Sequence, residues 1–383
     1  MRVELIHPQE LDAGAIADWL ALRARLPAFG SPYFHPRFAQ IVGQVRADAR
    51  VLVLEDGGRR VGFWALHRRP DGFARPIGQP LADENGPLLD PNASIDLADA
   101  LRKARLGAAA FTGLPCPPQA VAPFVCEVGE SARIDLASGG ASTLAALREA
   151  HSTHFKNMRR KERKALDAYR DISYDPACAN QDTLDTLIGW KRAQFQRTGL
   201  YDVFAPAWTR ALIAALAQEK SPAFRGVLTT LRLGDRLAAA EFALQSGGHL
   251  HSWITAYDAD FSALSPGHLL QLRMIEGADA AGVGVIDIGV GASHYKRFYA
   301  NAAEPLAQGM VAARGFVGAL HGARSQLWRA AEANPVGAIG GAFGRLRRRS
   351  EIIMSADQTF QGRVGGMLQA VRDASVKPSE AAG

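Results

Sequence analysis

The chain has 383 residues, of which 48% are hydrophobic, and it carries a formal net charge of +6 at pH 7. This length exceeds what one hydrophobic core usually supports, so we expect two domains, and the hydrophobic share is ordinary for a globular protein. The N-terminal apolar run is too short for a secretory signal, and no stretch is long and apolar enough to span a bilayer. We therefore expect a cytoplasmic protein, with peripheral contact at the inner membrane as a further option.

The first half of the chain predicts a small α/β unit. Residues 2–6 alternate as a strand does, and two helical patterns follow them. A strand, an Asp-Gly-Gly turn and a second strand then predict a β-hairpin. Residues 73–94 are rich in Pro, Gly, Asp and Asn, so we expect them to be mostly loop. The remaining elements are a helix with a Ser N-cap at 94–106 and short strands at 108–114 and 122–128.

The second half, from residue 132 onward, predicts a longer series of elements. Two helices precede a short strand, and the next helices are marked by Gly199 at the end of one and Pro206 in the first turn of the other. Three strands joined by Gly-containing turns then predict an antiparallel meander at 224–233, 236–245 and 249–258. A helix, a buried strand, a short helix and a last strand follow, at 265–282, 283–291, 292–301 and 305–314.

Both halves follow the same order of helices and strands, and the second half shows this order more completely than the first. Two copies of one α/β unit in tandem would explain the chain length, although no residue-level repeat is visible. We predict an N-terminal domain at 1–135, a C-terminal domain at 136–314 and a helical tail at 315–383 with a disordered end. The tail holds a basic Arg-Leu-Arg-Arg-Arg run with Phe343 and Leu346, which predicts a contact with a membrane surface or a synthase. It also holds one short amphipathic helix, marked by Val364, Met367, Leu368 and Val371.

Cysteine and histidine spacing gives no metal signal. Cys116, Cys126 and Cys178 form an odd set without a CxxC pair, so we interpret them as small buried hydrophobic residues in a reducing cytoplasm. His151 and His154 form an HxxH pair, but no further ligand nearby completes a zinc site. The sequence therefore predicts no metal site.

A basic helix is predicted over residues 154–166, where six Lys or Arg accompany a single Glu. Phe155, Met158, Leu166 and Tyr169 form one apolar stripe on this helix, interrupted at a glutamate, and the basic side chains occupy the other faces. A solvated face and a phosphate contact both fit this pattern. Duplex DNA is not an expected partner, because the chain has no helix-turn-helix, zinc-finger or RNA-recognition signature.

Three segments in order carry a resemblance to a known family. They are the basic segment 151–166, the Tyr-Asp to Ser-Pro-Gly passage within 253–278, and the Asp-strand, Gly-turn and Tyr-Lys stretch at 285–301. Together they resemble the GNAT superfamily of acyl-CoA N-acyltransferases, and more closely its tandem branch associated with cellulose or exopolysaccharide biosynthesis (CelD-type, BioF2-like acetyltransferases). The resemblance is strong over about 140–302 and weak over 30–135. Residues 292–294 depart from it, since Ala-Ser-His stands where the family often has an acid.

The resemblance implies an α/β (α+β) fold of two tandem GNAT-like units, each a mixed, largely antiparallel sheet flanked by helices. It also implies an acyltransferase with acetyl-CoA or another acyl-CoA as co-substrate. The coenzyme's pyrophosphate is expected at the N-terminus of the helix beginning near Pro266, where free N–H groups and the helix dipole favour an anion. Ser265 is expected to cap that helix, Gly267 to permit close approach, and His268 to complete the donor site; an ordinary capped helix is the alternative.

The acyl acceptor must lose a proton to a nearby base, and the candidates are Glu241, His251 and Asp287. Glu241 stands inside an apolar strand, where an acid is costly unless it is paired or faces a cleft. The structural alternatives are a cross-sheet ion pair for Glu241, a satisfied core histidine for His251 and a backbone-capping carboxylate for Asp287. The predicted substrate-binding residues are Lys156, Arg159, Tyr257, Tyr295 and Lys296.

The N-terminal half has no counterpart of the Ser-Pro-Gly helix entry, so we expect a scaffold or an acceptor-side wall. Its loop with Asp83, Glu84 and Asn85 is expected to face the cleft between the units.

Three functions stay open at this stage. The first is an acyl-CoA-dependent transferase that acts on an amine or hydroxyl of a sugar, lipid or polysaccharide precursor. The second is a Fem-like transferase that uses aminoacyl-tRNA and contacts RNA through the basic helix. The third is a non-catalytic subunit of a membrane-associated polysaccharide synthase. The absence of a visible coiled-coil insertion favours the first over the second.

Overall fold

The computed structural model describes residues 1–291, 293–333, 350 and 352–356. Within these residues, a single mixed sheet of 14 strands is flanked by helices, which confirms the predicted α/β class. The strands are β1 (Arg2–Ile6), β2 (Ala49–Asp56), β3 (Arg59–Arg68), β4 (Phe73–Pro76), β5 (Leu88–Leu89), β6 (Ala108–Pro115), β7 (Val125–Asp135), β8 (Ile172–Asp175), β9 (Lys220–Ser221), β10 (Phe224–Leu233), β11 (Arg236–Ser246), β12 (His249–Tyr257), β13 (Val285–Val290) and β14 (Ala302–Ala312). The helices are α1 (Ala13–Ala24), α2 (Pro36–Val45), α3 (Leu97–Lys103), α4 (Gly140–Ala150), α5 (Ser152–Tyr169), α6 (Gln181–Thr198), α7 (Ala207–Ala217), α8 (Pro266–Glu276) and α9 (Phe316–Ala333).

The two ends of this sheet follow the same pattern of strand pairing. In the first half, β1, β2, β3 and β4 pair in antiparallel order, β4 runs parallel to β6, and β6 is antiparallel to β14. In the second half, β8, β10, β11 and β12 pair in antiparallel order, β12 runs parallel to β13, and β13 is antiparallel to β7. This correspondence, strand for strand, is the tandem arrangement that the element order predicted.

The sixth strand is exchanged between the two units. β7 follows β6 in sequence but pairs with β13 of the second unit, whereas β14 follows β13 in sequence but pairs with β6 of the first. β7 and β14 then pair with each other and join the two half-sheets into one. The strand β7, which follows β6 of the first unit, thus completes the sheet of the second unit. The strand β14, which follows β13 of the second unit, completes the sheet of the first unit. The domain boundary after residue 135, directly at the end of β7, stays a prediction.

Several local predictions differ from the observed elements. The segment 73–94 is mostly loop, as predicted, but it also contains the short strands β4 and β5, which were not predicted; Ala74 of β4 pairs with β3 and β6. The strand predicted at 122–128 begins later and is longer: residues 122–124 form a short 3₁₀ turn, and β7 continues to Asp135. Pro206 is the N-cap of α7 and not a first-turn residue. Cys116 and Cys126 are exposed and Cys178 is half-buried, so they are not the buried core residues that were predicted.

Two hydrophobic cores lie on opposite faces of the second half-sheet. Phe242 and Leu244 point into one core with α6 and α7, and Ala243 points into the other with α4, α5 and α8, as the two-residue alternation of a strand requires. In α5, Phe155, Met158 and Ala165 are buried. Leu166, which was predicted in the buried stripe, is 42% exposed, because the stripe passes through Ala165 one position earlier.

The C-terminal segment is described only in part. Helix α9 ends at Ala333, and residues 352–356 are helical, with the Ala356 carbonyl accepting a hydrogen bond of 2.7 Å from the Trp208 indole. The predicted tail features, namely the basic run with Phe343 and Leu346, the amphipathic helix at 364–371 and the disordered end, lie outside the described residues. None of the helices described combines the length and apolar character needed to cross a membrane.

Candidate active site

The parallel strands β12 and β13 separate after a short paired stretch. Their register runs from His249 opposite Val285 to His251 opposite Asp287 and then stops. β12 continues to Tyr257, while β13 continues to Val290 alongside β7. In the described chain, no strand pairs with the last part of β12 on the β13 side, which leaves a fork between the two strands. An extended ligand could line up with this strand edge.

A β-bulge lies on each arm of the fork. On β12, the partners of Phe242 and Ala243 are Ile254 and Ser252, so Trp253 is the extra residue. On β13, the register against β7 shifts between Asp287 and Val290. Such bulges bend strands and re-aim side chains, and they are common beside active sites. The Trp253 indole donates a 2.6 Å hydrogen bond to the Leu81 carbonyl and so ties the N-terminal unit to the fork.

Helix α8 begins close to the open arm of the fork. Pro266 occupies its first turn, as predicted, and Gly267 has only Tyr257 within 4 Å of the place where a Cβ would stand. Ser265 is the N-cap residue, as predicted, but its side chain makes no capping hydrogen bond. Its backbone is left-handed, with φ of 52°, and its hydroxyl accepts a 2.5 Å hydrogen bond from the Lys161 ammonium. The basic helix α5 therefore places a cation at the positive end of α8, where an anion would bind.

Aromatic and imidazole side chains cluster at the same helix end. The Tyr299 hydroxyl lies 3.0 Å from His268 Nδ1 and 3.3 Å from His154 Nε2, and the Tyr295 ring meets His268 edge-on at 6.2 Å. Burial, with a contribution from the nearby Lys161 ammonium, lowers the pKa of His268 to about 4. The predicted donor-site residue His268 is therefore neutral at pH 7.

Glu241 lies one strand away from the fork and is 1% exposed. It pairs in register with Thr255 of β12, and the Thr255 hydroxyl donates a 2.8 Å hydrogen bond to Glu241 Oε2. Its other oxygen makes no hydrogen bond of ordinary geometry within the described chain, although the nearby Ser252 hydroxyl favours the ionised carboxylate. Burial raises the pKa of Glu241. A buried carboxylate with a free oxygen and a raised pKa has the properties of a general base.

A second buried cluster forms where the fork opens, on the other face of the sheet. His251 Nε2 lies 3.0 Å from Asp83 Oδ2, and His251 Nδ1 lies 3.7 Å from Asp287 Oδ1 and 3.9 Å from Glu84 Oε1. His249, two residues before His251, points to the same face. The predicted loop of the N-terminal unit therefore contacts the second unit. Within it, Asn85 turns away and accepts from the Trp64 indole at 3.3 Å.

Gly113 allows this loop to come close. Its φ is +60°, and a Cβ there would stand 2.3 Å from the Asp83 carbonyl oxygen. The loop is further fixed by a bridge between Asn85 and Thr112, with N–H···O distances of 2.6 and 3.1 Å. The carboxylates of Asp83 and Glu84 are thus placed against the second unit by backbone contacts.

Asp287 is fully buried and held by three donors. The Ser131 hydroxyl and the Gly289 N–H donate to Oδ1 at 2.5 and 2.8 Å, and Arg133 Nε donates to Oδ2 at 2.9 Å. Burial opposes ionisation, but the charge of His251 and these hydrogen bonds outweigh it and lower the pKa of Asp287. Burial and the Asp287 charge raise the pKa of Glu84.

The fold brings together some of the predicted residues and separates others. His251 and Asp287 share one cluster, whereas Tyr257, Tyr295, Gly267 and His268 gather at the start of α8. The remaining substrate-binding predictions lie elsewhere: Lys156 and Arg159 are exposed on α5, and the Lys296 ammonium donates to the carbonyls of Gly289 and Val290 at 2.8 Å.

Sequence reasoning missed Lys161, His249, Ser131 and Arg133. The His-Leu-His alternation at 249–251 was a usable signal, because alternate strand residues share a face. The others depend on strand exchange and helix docking, which leave no local pattern.

Comparison with known proteins supports the assignment of the second unit. Residues 152–297 match the family model of the acetyltransferase (GNAT) domain, so this part of the chain has a GNAT-type acyltransferase fold. No curated protein matches the chain.

Several solved structures are similar at low sequence identity. The C-terminal DUF2156 domain of a protein from Agrobacterium fabrum described as a lysylphosphatidylglycerol synthetase is 14% identical, with 82% of this chain and 96% of that chain covered and a TM-score of 0.46. FemX is 11% identical, with coverage of 68% and 87% and a TM-score of 0.48. A tandem GNAT protein from the clavulanic acid biosynthesis pathway is 14% identical, with coverage of 82% and 100% and a TM-score of 0.45.

Proposed function

We propose that the protein transfers an acyl group from an acyl-CoA to an amine or hydroxyl acceptor. The observation that carries this proposal is the fork between β12 and β13, which opens beside the N-terminus of α8. The extended arm of the coenzyme would lie along the free edge of β12, and its pyrophosphate would meet the first turn of α8 and Lys161. GNAT folds typically use an acyl-CoA as co-substrate, which agrees with the family match.

Among the three predicted catalytic residues, we assign the general base to Glu241. Its free oxygen, its raised pKa and its bond to Thr255 support proton transfer from an acceptor in the fork. Thr255 is half-buried on the arm of the fork, so it connects the buried carboxylate to the place where an acceptor would stand. The amine or hydroxyl then attacks the thioester carbonyl, the C–S bond breaks, and the coenzyme leaves as a thiolate that takes up a proton.

The acceptor class in this proposal is a sugar, lipid or polysaccharide precursor of envelope or exopolysaccharide biosynthesis. Its support is the resemblance of the three segments to the cellulose-associated tandem branch, together with the net charge of +6, which favours anionic surfaces.

Calorimetric titration with acetyl-CoA and longer acyl-CoAs tests the donor directly. We expect saturable binding that Gly267→Val weakens. A Fem-like transferase would instead bind charged tRNA with an affinity that falls steeply with salt, through the exposed basic side chains of α5. A non-catalytic subunit would bind neither donor, and that result would overturn the proposal.

A further inference from the structure

We propose that Glu84, His249, His251 and Asp287 bind one divalent transition-metal ion, with Zn²⁺ as the best match. One ligand atom from each of these four side chains lies within 4.8 Å of every other, and all four residues are buried. The site joins a loop of the first unit to two strands of the second. It is separate from Glu241, which lies on the other face of the sheet, and it goes beyond the acyl transfer proposed above.

Unpaired polar atoms in this cluster point to a missing partner. Both carboxylate oxygens of Glu84, Nε2 of His249 and Nδ1 of His251 have no hydrogen-bond partner among the described residues. Glu84 is 1% exposed and His251 is fully buried, so solvent does not compensate for them. A buried carboxylate and two buried imidazole nitrogens without hydrogen-bond partners are costly, and a bound cation, which displaces any proton on these nitrogens, satisfies all of them at once.

The spacing and the donor types fit a four-coordinate zinc ion. Bonds of about 2.0–2.2 Å place tetrahedral ligand atoms about 3.4 Å apart. His251 Nδ1 already lies 3.7 Å from Asp287 Oδ1 and 3.9 Å from Glu84 Oε1. Small side-chain rotations would close these gaps. Two imidazoles with two carboxylates suit zinc better than the all-oxygen shells that Mg²⁺ and Ca²⁺ prefer.

The surrounding hydrogen bonds orient the ligands as metal sites require. His251 Nε2 lies 3.0 Å from Asp83 Oδ2, so the other ring nitrogen, Nδ1, faces the centre of the cluster. This carboxylate–histidine arrangement fixes the tautomer of a metal-binding imidazole. Asp287 is oriented by Ser131 and Arg133.

Three carboxylates and two fixed cations set the charge of the site. Asp83, Glu84 and Asp287 bring the carboxylates together. The fixed cations beside them are the Arg133 guanidinium, which is shared with Glu304 at 2.7 Å, and the Lys296 ammonium. A divalent ion would take the place of the protons that a buried imidazole or carboxylate otherwise binds here.

Metal content of the full chain tests this proposal without any acyl-CoA. The protein is stripped with a chelator, dialysed against Zn²⁺ or Co²⁺, and the bound metal is counted by mass spectrometry. We expect one ion per chain, Co²⁺ absorption in the visible range typical of a four-coordinate site, and a rise in Tm on adding Zn²⁺. No bound metal above background in the folded wild type would overturn the proposal, whatever its acyltransferase activity.

Two substitutions and a matched control locate the ion. Glu84→Gln keeps the shape of a ligand and should abolish stoichiometric binding, whereas Asp83→Asn should weaken it roughly 10–100-fold while keeping one site. Glu241→Gln, an isosteric change at another buried carboxylate, should leave the metal content unchanged. Circular dichroism checks that each variant is folded. Unchanged Zn²⁺ binding in folded Glu84→Gln would place the metal on surface side chains and refute the site.

Discussion

His251 and Asp287 form the last paired position between β12 and β13, and beyond them the two strands separate. On one face of the sheet, His251 and Asp287 form the buried cluster with Glu84. On the other face, the Thr255 hydroxyl is hydrogen-bonded to Glu241. The fork therefore has two chemically different sides. The side with Glu241 adjoins the start of α8 and suits acyl transfer, and the side with His251 suits a cation.

Removal of the Glu241 carboxylate should slow acyl transfer. In Glu241→Gln, the amide oxygen can still accept from Thr255, but the base is lost, so we expect kcat to fall by roughly 10²–10⁴ with little change in donor affinity. Steady-state kinetics and donor titration measure the two effects separately. Glu130→Gln, at an exposed carboxylate on β7, is the control and should keep the wild-type rate. A normal rate in Glu241→Gln would exclude Glu241 as the base.

A side chain at Gly267 should obstruct the donor. Only Tyr257 lies within 4 Å of the added Cβ, so Gly267→Val is tolerated by the free protein but fills the space in front of the helix N-terminus. We expect the Kd for acetyl-CoA to rise at least about tenfold, since one lost contact of about 1.4 kcal/mol gives that factor. Gly189→Val, at an exposed helical glycine with nothing within 4 Å, is the matched control. Equal affinity for both variants would move the donor site elsewhere.

Lys161 should contribute more to donor binding than its basic neighbours. Its ammonium reaches Ser265 at the start of α8, whereas Lys156 and Arg159 are exposed. We expect Lys161→Glu to weaken acyl-CoA binding more than the double reversal of Lys156 and Arg159. Reversal of Arg163 and Lys164 should have little effect.

A filter assay at physiological salt should find no tight DNA binding by the wild type. Salt-sensitive DNA binding that these reversals abolish would identify a nucleic-acid surface instead.

Local patterns predicted most elements, because helix caps and hairpin turns are encoded by adjacent residues. The Asp-Gly-Gly hairpin of β2 and β3, the meander β10–β12 and the Pro266 helix start are as predicted. What local patterns cannot give is the partner of a distant strand. The exchange of β7 and β14 depends on contacts between residues far apart in sequence.

The candidate site shows the same division. Glu241 and Asp287 stood out because an acid inside an apolar strand is costly unless it has a role. Glu84 stood in a loop that was expected to face the cleft between the units, but no local pattern predicted its burial, which results from Gly113 and the Asn85 bridge. Lys161 could not be distinguished from five other basic residues of its helix until α5 was placed against α8.

The stability of the protein should fall in mild acid because of His35. Its Nδ1 accepts the Arg37 N–H at the start of α2, and burial with the charges of Arg23 and Arg37 lowers its pKa to about 3. The unfolded chain has the ordinary value of about 6.5 and binds the proton first. The stability that neutral His35 gives to the folded state is therefore fully present above about pH 6.5, and it is lost as the pH falls toward 3.

Urea unfolding at pH 7 and pH 5 measures this effect. His35→Asn keeps a capping acceptor but does not titrate, so it should lose less stability than the wild type between the two pH values. Equal losses would assign the acid sensitivity to other groups, such as His67 beside Asp48.

The exchanged strands predict that the two units fold as one. A fragment of residues 1–135 would keep β7 without β13 and β14 to pair with, and β6 would lose β14. A fragment of residues 136–314 would leave β13 without β7. Each fragment thus exposes unpaired strand edges and buried apolar residues such as Ile286 and Phe111, which promote aggregation. We expect neither fragment to be stably folded alone, and the full chain to unfold in one cooperative transition that gives the same midpoint by circular dichroism and by tryptophan fluorescence. A folded 136–314 fragment that still binds acyl-CoA would show that β7 is dispensable and that the predicted boundary marks an autonomous domain.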